Sequence, residues 1–68
     1  MIRLPQVRRD LAEIENHLRL TRNRLACYEL LDDTELAAHT RRVVTGLEET
    51  KEVLLTRIQS FSHVENHR

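Results

Sequence analysis

Few residues of this sequence combine the type and the spacing that chemistry needs. His63 and His67 stand four apart with Glu65 between them, and on a helix that interval puts two imidazoles on one face, as a metal ion requires. The segment is terminal and brings no further ligand near, so a solvated tail is expected there and no metal site. His17 and His39 sit in arginine-rich polar settings without an evident acid–base partner, and exposed helix positions are the simpler expectation. Cys27 has no histidine close to it in sequence, so a small apolar packing role fits it better than nucleophilic catalysis. Neither a glycine-rich phosphate loop nor a nucleophile motif occurs. The expectation is a chain that is not an enzyme and uses no metal and no cofactor.

The one basic patch worth weighing is "RLTRNRL", residues 19–25, which concentrates Arg19, Arg22 and Arg24 on the outer side of a helix. Arg41 and Arg42 can join it from a second helix, and such charges can hold an RNA backbone. No aromatic platform is interleaved with them, however. The chain also balances 11 Lys and Arg against 11 Asp and Glu, whereas a generic polyanion binder needs a surplus of cations. A solvated face interrupted by acids is the expectation, and nucleic acid is not the expected partner.

These residues must be carried by long helices. One Gly, one Pro, 32% charged residues and only Tyr28 and Phe61 as aromatics describe helices with solvated faces rather than strands or long loops. At 68 residues the chain is a single domain that buries little of its surface alone, so a partner or a second copy is expected. No apolar run approaches the length of a membrane span. A lone cysteine excludes an intramolecular disulfide and fits a reducing compartment, so a cytoplasmic protein is expected.

Leu4, Val7, Leu11, Ile14, Leu18, Thr21, Leu25 and Tyr28 follow one another at alternating spacings of three and four, a heptad seam. Pro5 suits the first helical turn. A matching seam of Leu36, Thr40, Val43, Leu47, Thr50 and Leu54 follows, and then slips by one residue to Ile58 and Phe61. Gly46 stands within it, where a glycine costs about 1 kcal/mol relative to Ala, and close helix approach is the favoured reason. Between the seams, Asp32 is expected to cap the second helix, with Glu35 closing a capping box and Leu31 stapled to Leu36. The alternative is one continuous helix of about 60 residues in a long coiled coil. The capping cues favour an all-α fold, an antiparallel two-helix hairpin with helices at about 5–31 and 33–62 and a frayed tail at 63–68. In such a hairpin facing residues have numbers that sum to about 65, which sets Leu18 against Leu47 and Leu11 against Leu54.

Two helices alone bury too little to offset backbone entropy of about 1–2 kcal/mol per residue. Apolar residues left outside the seam, Leu20, Cys27 and Leu30 or Leu31 on the first helix and Ala37, Val44, Val53 and Leu55 on the second, are therefore the expected partner-binding flank.

The stretch "TELAAHTRRVVTGLEETKEVLLTRI", residues 34–58, resembles the second helix of the small E-component co-chaperones of type III secretion needle assembly. The likeness lies in the polar start at Thr34 and Glu35, the small residue Gly46, the pair Leu47-Glu48 and the apolar Val53-Leu54. The sequence departs from that family at Ala37, where an aromatic is frequent, and at "ETKE", residues 49–52, where small apolar residues are usual. The resemblance implies a helical hairpin that binds a larger helical-repeat co-chaperone and with it keeps the needle subunit soluble in the bacterial cytoplasm. The residues themselves also admit a homodimeric four-helix bundle with a regulatory or RNA-binding role through Arg19, Arg22, Arg41 and Arg42.

Overall fold

In a computed structural model the chain folds into two antiparallel helices, α1 (Leu4–Leu30) and α2 (Thr34–Asn66). The structure describes the backbone of residues 4–66 and the side chains of residues 4–61. The second helix continues past Phe61, where fraying is expected from the sequence, and stays helical to Asn66. His63 and His67, and the tail beyond Asn66, fall outside the described side chains. The hairpin measures 55 × 18 × 15 Å with a radius of gyration of 15.7 Å, against about 11 Å for a compact chain of this length. It is a narrow two-helix ribbon.

The chain reverses through two aspartates that do different work. Asp32 adopts φ 55°, the left-handed conformation in which helices commonly end. Its N–H donates to the Glu29 carbonyl at 3.2 Å and the Asp33 N–H donates to the Tyr28 carbonyl at 3.0 Å. That pair of bonds is the Schellman arrangement, which satisfies carbonyls at the end of α1 that would otherwise lack partners. Asp33, not Asp32, then caps α2: its Oδ1 accepts from the Leu36 N–H at 3.1 Å and its carbonyl accepts the first helical bond, from Ala37 N–H, at 2.9 Å. The cap expected at Asp32 therefore moves by one residue. With it go the capping box and the staple, because Leu36 now stands at the third helical position and Ala37 at the fourth. Glu35 keeps its place in the first turn, where the helix dipole favours an acid.

All eight seam residues of α1 are buried or half-buried, Leu18 and Val7 most of all, at 1% and 2% exposure. On α2 the buried series differs from the expected one. It runs Ala37, Thr40, Val44, Leu47, Lys51, Leu54, Ile58 and Phe61, an unbroken alternation of three and four with no slip. Leu36 and Thr50 are exposed and Val43 is only half-buried, so every second member of the expected seam moves by one position, to Ala37, Val44 and Lys51, while Thr40, Leu47 and Leu54 keep their places. Ala37 and Val44, expected on an outer flank, are 3% and 9% exposed and belong to the core.

Two buried threonines and one lysine interrupt this core. The hydroxyls of Thr21 and Thr40 each donate to a carbonyl one turn back, those of His17 and Leu36, at 2.7 Å, so neither is buried without a partner. Lys51 is half-buried and sends its ammonium out of the seam to within 3.7 Å of Glu15 Oε2, keeping its charge at the surface while its stem stays inside.

Ion pairs fix the register. Arg22 Nη2 lies 3.1 Å from Glu48 Oε2 and Arg41 Nη2 lies 3.3 Å from Glu29 Oε2, so the two pairs are one heptad apart on each helix. Taking Leu4 and Ala37 as heptad position a, all four residues are e positions, which meet in antiparallel coiled coils when a faces d. That alignment sets Leu18 against Leu47 and Leu11 against Leu54, in the register expected from the sequence. It also sets Tyr28 against Ala37, Thr21 against Val44 and Ile14 against Lys51.

Candidate functional site

The two long edges of the ribbon differ in chemistry, and the difference follows from heptad position. The e edge holds the ion pairs Arg22–Glu48 and Glu29–Arg41, with Glu15 reached by Lys51 beside them. Among the described residues these are the only ion pairs, and all three lie on that side. The opposite edge, built from g positions and the neighbouring c positions, has none.

On this g edge a shallow open groove runs between the helices near the turn. Thr21, Tyr28 and Thr40 form its floor; His17 and Arg24 from α1 and Leu36, His39 and Val43 from α2 form its walls. Leu20 lies just outside it at 47% exposure, one turn from Arg24, and Val53 continues the edge towards the open end at 51%. Cys27 is a free, exposed thiol on the same side, at the c position one heptad beyond Leu20. Gly46, the c position level with Leu20 on α2, is exposed, and a Cβ built there would meet nothing within 4 Å. Close approach of α1 therefore does not explain Gly46.

The seven residues expected to form a partner-binding flank are thus distributed over the molecule. Leu20, Cys27 and Val53 share the g/c edge. Leu55 is half-buried at an e position on the other edge. Leu30 points away from both at an f position, 85% exposed, beside the exposed Leu31 at the turn. Ala37 and Val44 are inside the hairpin and reach no partner while it is folded. Sequence reasoning missed Leu36 and Val43 as edge residues because it placed them in the seam. The signal that finds them is the slip-free heptad series on α2, whose one charged member, Lys51, obscured it.

The arginines of the basic patch are divided between the edges, with Arg22 and Arg41 on the e edge and Arg24 lining the groove on the g edge. Arg22 and Arg41 are engaged by Glu48 and Glu29, and Arg19 donates to Asn16 Oδ1 at 2.7 Å. Arg22 and Arg41, the arginines of the patch on the e edge, each have an acid beside them. Among the described residues, no three His, Cys, Asp or Glu side chains come together as metal ligands. No helix there is long and apolar enough to cross a membrane.

The chain matches no family model, no curated protein and no solved structure.

Proposed function

We propose that this chain is a non-catalytic docking module that lays its g/c edge against another helical protein and is stabilised by it. In the form that the resemblance of residues 34–58 gives this reading, it is a small cytoplasmic co-chaperone. It binds a larger helical-repeat chaperone and helps to keep a type III secretion needle subunit soluble. The observation that carries the proposal is the asymmetry of the ribbon. One edge is closed by ion pairs, and the other offers Leu20, Leu36, Val43 and Val53 around a groove with no ion pair across it. Exposed apolar residues gathered along one edge of a hairpin this small are the mark of an interaction surface rather than of ordinary scatter.

The second reading, a four-helix-bundle regulator holding RNA through Arg19, Arg22, Arg41 and Arg42, has less support, because the acids paired with Arg22 and Arg41 repel the same phosphates those arginines would bind.

Co-expression with the helical-repeat chaperone and needle subunit from the same genome tests the proposal. The parent chain should co-purify with the chaperone and keep the needle subunit in the soluble fraction. Leu20→Glu should lose both effects while the free hairpin stays helical by circular dichroism, and Glu49→Gln, on the outer face of α2, should lose neither. Normal capture of the chaperone by Leu20→Glu would remove the g/c edge as the docking surface.

A further inference from the structure

We propose that, in the absence of another partner, the g/c edge is covered by a second copy of this chain, packed face to face with the turns at opposite ends. The inference rests on reading that edge as the docking surface and names an occupant for it. Four observations carry it. First, a compact protein of 8.1 kDa exposes about 4,500 Å², whereas this chain exposes 5663 Å². The excess is larger than the roughly 800 Å² that each partner contributes to a stable interface.

Second, of the two edges along which both helices present side chains together, only the g/c edge can be covered without breaking or burying the ion pairs. Third, Gly46 lies at mid-hairpin on this edge with open space where a side chain would go. A glycine weakens a helix interior unless something must come near it, and nothing in the hairpin does. A second α2 crossing at Gly46 supplies the missing neighbour.

Fourth, the charges on the edge select one of the two symmetric ways of stacking two ribbons. Asp10 and Glu13 lie towards the open end and Arg24 towards the turn, all exposed and outside the ion pairs. If the turns were at the same end, α1 of each copy would lie on the partner's α2, so that Arg57 would meet Asp10 but Arg24 would stand level with His39 and Arg42 and meet no acid. With the turns at opposite ends, the two-fold axis passes near Leu20 and Gly46. Arg24 of each copy then comes within a turn of Glu13 of the other, with Asp10 one turn beyond, and Arg57 within a turn of Glu35 and Leu36. Opposite charges meet twice, as an interface between identical surfaces requires. The product is a four-helix bundle with Leu20, Val43 and Gly46 from both copies at its centre.

Sedimentation equilibrium of the parent chain should give twice the 8.1 kDa mass. Arg24→Glu, and separately Asp10→Arg with Glu13→Arg, should each weaken self-association by about tenfold or more, because like charges then face each other. Mixing those two variants should restore the dimer as a heterodimer. Gly46→Leu, which has room in the hairpin, should leave the monomer helical and at least as heat-stable while preventing dimerisation. Spin labels on the native Cys27 should lie about 25 Å apart with the turns at opposite ends; a separation below about 15 Å would place the turns together and overturn the arrangement. A chain that remains monomeric at every concentration, or a dimer indifferent to Arg24→Glu and Gly46→Leu, would also overturn the proposal. Capture of the helical-repeat chaperone by such a monomer would show that the docking edge stands and only its second-copy occupant is wrong.

Discussion

Asp32 and Asp33 are the same residue type, one bond apart, and opposite substitutions should separate their roles. Asp33→Ala removes the acceptor for the Leu36 N–H and should lower stability by about 0.5–2 kcal/mol. Asp32→Gly should raise stability by up to about 1 kcal/mol, because a left-handed φ of 55° strains any residue with a Cβ and not glycine. Thermal or urea melts of the two variants decide it; destabilisation by Asp32→Gly would mean that the Asp32 side chain makes a contact that outweighs the relieved strain. Leu18 is the most buried side chain, and Leu18→Ala should remove about 2–5 kcal/mol, enough to unfold a hairpin this small. Thr21 is nearly as buried, but its hydroxyl bonds only to its own helix. Thr21→Val should therefore be tolerated far better than Leu18→Ala.

At the level of the helices, Lys51 is the residue that decides how the seam is read. Lys51→Leu should stabilise the hairpin by about 1 kcal/mol or more, since an apolar side chain would replace a half-buried lysine opposite Ile14, and the lost contact with Glu15 is an exposed pair of little worth. Unchanged or reduced melting temperature would indicate that the lysine stem already fills its layer. The same residue explains how far the sequence could be read. The seam of α1 is fully legible, because Leu4 to Tyr28 keep an unbroken spacing with no charged member. On α2, the true series passes through small Ala37 and charged Lys51, while Leu36, Val43 and Thr50 offer a more apolar series one position away. Hydrophobicity favoured the second series and pairing with α1 enforces the first. The hairpin and its register were nonetheless legible, since folding at the aspartates aligns Leu11, Leu18 and Leu25 with partners under either series. The cap was displaced for a related reason: a left-handed aspartate is rare enough that spacing alone assigns Asp32 to the helix it precedes. Leu20, Cys27 and Val53 could be recognised as surplus apolar residues, but whether they share an edge depends on the phase of each helix. An error of one position in α2 was sufficient to place Ala37 and Val44 among them.

For the molecule as a whole, the large exposed area and the 55 Å length would make stability a matter of concentration if the proposed docking edge is covered. The melting temperature should rise with protein concentration if the edge pairs with itself, and with added partner if another protein covers it. Leu20→Glu should abolish that dependence and leave the hairpin intact, whereas Leu11→Glu, in the seam, should unfold it. RNA affinity at physiological salt should be no tighter than the non-specific range of about 10⁻⁴–10⁻⁶ M; a salt-dependent nanomolar complex lost on Arg19→Ala or Arg22→Ala would return the basic face to consideration. The register has one more consequence, for mechanical load. Leu4 and Phe61 lie across from each other at the open end, so a pull applied through these two residues runs across the seam instead of along it. The layers must then peel one after another from that end, Leu4 with Phe61 first and Tyr28 with Ala37 last, each rupture leaving the next layer to bear the force alone. In an optical trap the hairpin should unzip gradually at low force, and handles moved to Leu4 and Leu31 should instead stretch α1 along its axis and hold to a higher one.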